Sequence, residues 1–227
     1  MTLSEVARRI GVTPGSAQRI LRTLLWLGYV GCEDGLYSLR PRTLQLGYSY
    51  LASLPEVAIA QPLLTAATEA TGETAYLALL DGTDVVYVAR ATGRHLRRDY
   101  MSVGTRMPAH ATSPGKVLLA ALPVTERRAL LTGRELQRLT PCTITDAEEL
   151  LRQIAAVAET GYAVNDQETI MGLRSLAVPV TVAGRVVAAL GTSTEVSRNS
   201  VSAMEEHFLP RLRETAKSLA VALKART

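Results

Sequence analysis

The segment Arg106-Met-Pro-Ala-His110-Ala-Thr112-Ser113-Pro114-Gly115-Lys116 concentrates groups able to hold a small anion. A Thr or Ser followed by Pro opens a helix, and the amides and positive end of that helix then face the preceding loop, which favours a carboxylate. Pro114 has no amide hydrogen, so Gly115 and Lys116 are the expected donors, with Thr112 and Ser113 adding hydroxyls. Arg106 and His110 could add charge or a further hydrogen bond. Such groups orient an acid rather than react with it. Other chemistries lack their parts. His95, His110 and His207 are scattered without a metal-ligand spacing, so neither a metal nor a cofactor is expected. Gly115-Lys116 misses the upstream glycine and following hydroxyl of a phosphate-binding loop, and neither His-Glu-x-x-His nor Gly-x-Ser-x-Gly occurs. Asp166 and Glu168 read as a carboxylate pair on a surface loop. The chain is not expected to be an enzyme.

A second set of groups lies near the start. Thr13 and Pro14 open a short helix as N-cap and first residue. Its inward face is expected to carry Ala17, Ile20, Leu21, Leu24 and Leu27, which leaves Ser16, Gln18, Arg19 and Arg22 outside. Arg and Gln make bidentate hydrogen bonds to guanine and adenine edges, so this face is a candidate reader of DNA. Before it, Thr2 and Glu5 have capping-box spacing, Leu3, Val6, Ala7 and Ile10 form an apolar stripe, and Gly11 ends the helix. After it, Gly28 stops the second helix. Tyr29–Val30 and Leu36–Leu39 then read as strands joined through Asp34-Gly35, a tight-hairpin signal. Arg40 and Arg42 follow at the hairpin's base, where they could meet phosphates. The order helix, turn, helix, hairpin is that of a winged helix-turn-helix.

Charge agrees with that reading. Residues 1–47 hold six arginines against three acids, a net +3 of the chain's +4. A phosphate backbone suits such a segment. No uncharged apolar run is long enough to cross a membrane, and no signal segment opens the chain. Cys32 and Cys142 fit neither a disulfide framework nor a zinc site, so a reducing, cytoplasmic setting is expected.

LSEVARRIGVTPGSAQRILRTLLWLGYV and GLYSLRPRTLQLG resemble the DNA-binding half of the IclR family of bacterial transcriptional regulators. MPAHATSPGKVLLAAL, GYAVNDQETIMGLRSLAVPV and GRVVAALGTSTEVSR resemble its effector-domain motifs. The resemblance implies an α+β protein: an N-terminal winged helix-turn-helix, a linker helix, and a C-terminal GAF-like effector domain with an antiparallel sheet. Domains are expected at 1–42, 43–55 and 56–227. By the same resemblance the effector cavity is lined by the helix start at Thr112–Ser113 together with Asn165, Ser175 and the run Gly191, Thr192, Ser193. It also implies double-stranded operator DNA and a small carboxylate as partners, and a homodimer, further a dimer of dimers. Members carry about twenty residues before this point, so the resemblance implies that a first helix is missing here. Within the family, GTRMPAHATSPGKVLLA, GLRSLAVPV and FLPRLRE are most similar to the branch answering to protocatechuate and para-hydroxybenzoate. Glyoxylate or pyruvate, or a sensor that does not bind DNA, are the alternatives.

Local pattern supplies further expectations for the second half. Strands are expected at Thr74–Leu80, Val85–Ala91, Ser175–Val182 and Arg185–Thr194, with another near Asp99–Val103. Helices are expected at 56–70, 114–122, 126–131 and 146–160, the last opened by a Thr145/Glu148 capping box. One final helix over 200–225 should place Met204, Phe208, Leu212, Ala216, Leu219 and Leu223 on one side.

Overall fold

Helix α1 (Leu3–Ile10) begins with the expected capping box: the Glu5 amide donates to Thr2 Oγ1 at 3.3 Å and the Thr2 amide to Glu5 Oε2 at 2.7 Å. Gly11 closes the helix at φ 69°, a left-handed conformation that glycine adopts without a Cβ penalty. Helix α2 (Pro14–Trp26) is capped by Thr13, whose Oγ1 accepts from the Ser16 amide at 3.3 Å. Ala7, Ala17 and Leu21 are buried between the two, joined by Val30. Ile20, expected inside, is exposed, and so is Trp26, with 84% of its surface free. Strands β1 (Val30–Glu33) and β2 (Leu36–Leu39) pair antiparallel across Asp34 (φ 51°) and Gly35 (φ 77°). Two consecutive positive φ values give the primed turn that matches the twist of a hairpin. Helix α3 (Thr43–Ser53) follows and buries none of its residues.

The computed structural model describes residues 1–95 and 101–225 and forms two units, Met1–Ser53 and Leu54–Thr227. The second unit opens with α4 (Pro55–Thr71), ended by Gly72 at φ 74°. Strands β3 (Thr74–Asp81) and β4 (Asp84–Ala91) form a hairpin, and β5 (Arg106–Pro108) pairs with β4. A 3-10 turn (Ala109–Ala111) leads into α5 (Ser113–Ala120), then α6 (Val124–Leu131) and α7 (Ala147–Thr160). Strands β6 (Ala163–Asp166), β7 (Leu173–Val182) and β8 (Arg185–Glu195) follow, and α8 (Val201–His207) and α9 (Leu209–Lys224) complete the unit. The six strands form one antiparallel sheet in the order β5-β4-β3-β8-β7-β6. The fold is α+β, as expected.

Side chains alternate across a strand, so each sheet face buries its own set. Tyr76, Ala78, Val85, Tyr87, Ala177 and Ala189 pack under α5 and α7, against Val117, Leu119, Leu150 and Ile154. Leu77, Leu176, Val178 and Leu190 are buried at the alternate positions, on the face covered by α4 and α9. Among the described residues, no helix is long and apolar enough to cross a membrane.

Several expectations are corrected. The strand placed near Asp99–Val103 falls partly outside the described residues, Met101–Val103 is not strand, and the edge position belongs to β5. Helix α7 is capped by Asp146, which accepts from the Glu149 amide at 2.7 Å, so Thr145 and Glu148 form no capping box. The final helix is broken at Phe208, because Pro210 lacks an amide hydrogen and starts a new helix at α9. The apolar positions predicted along it are nevertheless buried. Strand β6 was not expected from the sequence; four residues are too few for a period to show.

Candidate functional site

Register builds the site. Thr74 pairs with Ser193, Ser193 with Ser175, and Ser175 with Asn165, so β3, β8, β7 and β6 contribute one polar residue each to a single row. All four are buried. The start of α5 lies over this row, with Ser113 Oγ 2.8 Å from Ser175 Oγ. The adjacent row holds Tyr76 opposite Gly191. Tyr76 is 1% exposed, and its hydroxyl lies 3.3 Å from Ser113 Oγ and donates to the Thr192 carbonyl at 3.5 Å. A Cβ at Gly191 would stand 2.6 Å from the Tyr76 ring, so only glycine leaves room for the phenol. Tyr87 meets Tyr76 edge to face at 5.1 Å. Burial raises the pKa of Tyr76 against the opposing hydroxyls of Ser113, Ser193 and Ser175, and burial raises that of Tyr87 further. Both phenols are neutral at physiological pH. Ser193 Oγ is buried and makes no hydrogen bond.

Asn165 is fully engaged. Its Nδ2 donates to the Ala111 carbonyl and to Thr169 Oγ1, and its Oδ1 accepts from the Glu168 amide at 3.0 Å. It therefore fixes the loop after β6 to the turn before α5. Beside it, Lys116 Nζ lies 2.5 Å from Glu168 Oε1 and 3.1 Å from Gln153 Oε1, with both charged side chains buried. Burial pushes the Glu168 carboxyl up, and Lys116 pulls it back only in part. Glu168 is thus no surface-loop carboxylate, and Asp166 pairs with Arg174 at 2.7 Å instead.

The structure brings Ser113, Ser175, Gly191 and Ser193 together, with Asn165 at the end of the row and Thr112 as the helix cap. Other residues take different places. The Gly115 amide donates to Thr112 Oγ1 at 3.0 Å and the Lys116 amide to the Thr112 carbonyl at 3.0 Å, so neither amide is free for a ligand. Thr192 Oγ1 donates to the Thr74 carbonyl at 2.9 Å. Arg106 is exposed on the edge strand, 2.5 Å from Asp81 and 3.1 Å from Asp84, whose hydrogen bonds raise its pKa. His110 Nε2 lies 3.0 Å from the Gln137 carbonyl, in a separate cavity with Arg134 and Glu135, and burial lowers its pKa. Sequence reasoning missed Tyr76 and Thr74, and it placed Glu168 on a surface loop where the structure buries it against Lys116. Thr74 and Tyr76 could have been found by alternation along β3, which puts them on one face.

In the first unit, Gln18, Arg19 and Arg22 are exposed along α2 at helical spacing. Thr13 and Ser16 are joined at 3.0 Å by their hydroxyls at the helix start. Arg40 lies against Gly31, where a Cβ would come within 2.8 Å of its Nε. Arg42 Nη1 donates to the Leu27 carbonyl at 2.7 Å, and its guanidinium covers the Tyr29 ring at 5.4 Å. Arg42 therefore clamps the end of α2 to the hairpin. Among the described residues, no cluster of His, Cys, Asp and Glu could hold a metal ion.

Comparison with known proteins gives concordant matches. Residues 48–221 match the family description "Bacterial transcriptional regulator IclR C-terminal", and residues 1–31 match "IclR helix-turn-helix domain". The Pca regulon regulatory protein of Pseudomonas putida is 40% identical over 221 residues, covering 96% of this chain and 76% of that protein. A crystal structure of a transcriptional regulator from Rhodococcus sp. RHA1 is 43% identical, with a TM-score of 0.84 over 100% of this chain and 91% of that one. An IclR homologue from Microbacterium hydrocarbonoxydans, crystallised with 4-hydroxybenzoate, is 27% identical, with a TM-score of 0.82 over 99% and 92%.

Proposed function

Because the chain belongs to the IclR family of bacterial transcriptional regulators, we propose that its second unit senses a small aromatic acid and thereby controls a catabolic operon. It is a DNA-binding regulator and not an enzyme. The observation that carries the effector reading is the buried hydroxyl cluster of Tyr76, Ser113, Ser175 and Ser193, in which one hydroxyl has no partner. Relatives point the same way in their names: one regulates the pca regulon and one was crystallised with 4-hydroxybenzoate. The effector site comprises Ser113, Ser175, Gly191 and Ser193 with Tyr76, supported by Thr112, Asn165 and Lys116; Arg106 and His110 lie outside it. The first unit reads operator DNA through Ser16, Gln18, Arg19 and Arg22, while Thr13, Arg40 and Arg42 hold the helix and hairpin in place or meet phosphates.

Half-site reading needs two copies, so the working form is a homodimer, assembled further as a dimer of dimers, in the cytoplasm. Exposed Leu44, Leu46, Tyr48 and Tyr50 on α3 offer apolar surface for that contact. The acid acts only if it binds two arrangements of the dimer unequally. A thermal-shift screen of aromatic acids against short keto and hydroxy acids tests the reading. Ligand at a hundred times its Kd adds about 2.7 kcal/mol, which raises the midpoint by about 5–10 °C in a chain of this size. Stabilisation by keto acids alone would overturn the aromatic assignment. Ser175→Leu, which fills the cluster, is expected to abolish the shift while leaving operator affinity unchanged; an undiminished shift would move the site elsewhere.

A further inference from the structure

A cavity of about 170 Å³, which shares no residue with the hydroxyl row, lies between the β3–β4 turn, the 3-10 turn before α5, and the loop after α6. Its apolar wall is made by Ala109, Leu119, Leu131 and Leu136, all buried, with Leu130 partly so. An apolar void of about 150 Å³ is enough to take up a benzene-sized guest. The charges around the cavity cancel. Asp84 is held by Arg106 at 3.1 Å, and Arg134 and Glu135 are adjacent, exposed and of opposite sign. Lys116, which acts on His110 from α5, is paired with Glu168. Arg127, one turn before Leu130 on α6, does not line the cavity. An ionised guest would therefore lose hydration without meeting an unbalanced counter-charge.

One polar atom of the wall is unused. His110 Nε2 lies 3.0 Å from the Gln137 carbonyl. A carbonyl oxygen only accepts, so Nε2 carries the hydrogen, and burial disfavours a second proton on the ring. Nδ1 is then a lone-pair acceptor without a hydrogen bond of its own among the described residues. His110 is only 5% exposed, yet Nδ1 is not among the buried atoms sealed from solvent, so it opens into the cavity that the ring lines. A buried acceptor calls for a donor. An amine would bring a charge; a hydroxyl does not.

We propose that this cavity is a second ligand site, for an uncharged hydroxyl compound of about the size of phenol, whose apolar body packs on Leu119, Leu130, Leu131 and Leu136 and whose hydroxyl donates to His110 Nδ1. The guest bears on the turn that leads into Ser113. Gly115 lets α5 lie directly on Ala109 of that turn, where any Cβ would meet the Ala109 carbonyl.

Phenol and toluene have nearly the same shape, and only phenol has a hydrogen to donate. Both are titrated into the full chain labelled with nitrogen-15, and the ring nitrogens of its three histidines are followed by long-range proton–nitrogen NMR. Phenol is expected to bind with a Kd on the order of 1 mM, at least about tenfold more tightly than toluene, and to move the Nδ1 signal of His110. Leu130→Trp, at a half-buried position on α6, fills the cavity and should abolish that shift; Thr83→Phe fills it from the β3–β4 turn and repeats the test should the first variant not melt cooperatively. Ser175→Leu, which blocks the hydroxyl row, should leave the shift intact. The reverse pattern, loss in Ser175→Leu and retention in the cavity-filling variants, would put phenol in the hydroxyl row and overturn the proposal. Equal affinity for toluene would remove His110 as the partner and overturn it too. No saturable binding of phenol would mean that the cavity holds water only, which sinks the second site and leaves the acid-sensor reading to its own screen.

Discussion

A buried imidazole makes a fold sensitive to acid. Burial holds the His110 pKa below its ordinary value, with the Gln137 carbonyl opposing and Lys116 reinforcing the shift. The unfolded chain therefore takes up a proton at a pH where the folded protein still refuses it. The stability associated with the neutral ring is present above about pH 6.5 and is lost as pH falls through the lowered folded value. His110→Gln keeps a donor for the Gln137 carbonyl and does not titrate. Its melting temperature should fall less than that of the wild type between about pH 7.5 and about pH 5. Parallel curves would show that His110 ionises as freely folded as unfolded. Single residues were legible to different depths. Ser113, Ser175 and Ser193 were reachable through motif resemblance, yet their partner Tyr76 reads as ordinary core in the alternating run ETAYLALL. Lys116 reads as an amide donor at the helix start, and its ion pair with Glu168, 52 positions away in sequence and at 2.5 Å, is announced by neither residue. Neither pairing follows from local pattern.

Elements were legible where local chemistry decides them. The Thr2 box, Thr13-Pro14, Asp34-Gly35 and Ala183-Gly184 act through their own backbone, and the last pair takes left-handed conformations at φ 48° and 78° between β7 and β8. Short strands β5 and β6 exist because a neighbouring strand offers hydrogen bonds, which no local signal announces. The clamp made by Arg42 belongs to this scale. It holds the last carbonyl of α2 and covers Tyr29, so Arg42→Ala should loosen the junction of recognition helix and hairpin by about 1–2 kcal/mol. Amide exchange at Gly28 and Tyr29 should speed up by about tenfold. Arg42→Lys keeps the charge and loses the forked donor, and should lie between the two. Unchanged exchange in Arg42→Ala would return Arg42 to the role of a plain phosphate contact.

At the scale of the whole molecule, positive charge and ligand chemistry are separated along the chain. Residues 1–47 carry a net +3, while the hydroxyl cluster of the second unit is neutral. Salt should therefore weaken operator binding steeply and acid binding little. Arg22→Ala is expected to weaken operator affinity and, where Arg22 meets a phosphate, to reduce the salt slope by about 1. An unchanged affinity and slope would take Arg22 off the interface. The α+β class was visible from the hairpin signals and the helices between them; the row of polar residues across four strands was not, because register is a property of the sheet. One feature of the first unit turns this layout into an instrument. Trp26, the only tryptophan of the chain, stands exposed at the end of α2, whereas the aromatic groups at the hydroxyl cluster are tyrosines. Light absorbed at the red edge excites Trp26 alone. Its emission is an unlabelled probe of the DNA-reading unit, and a change on adding an acid would time the arrival of the signal there.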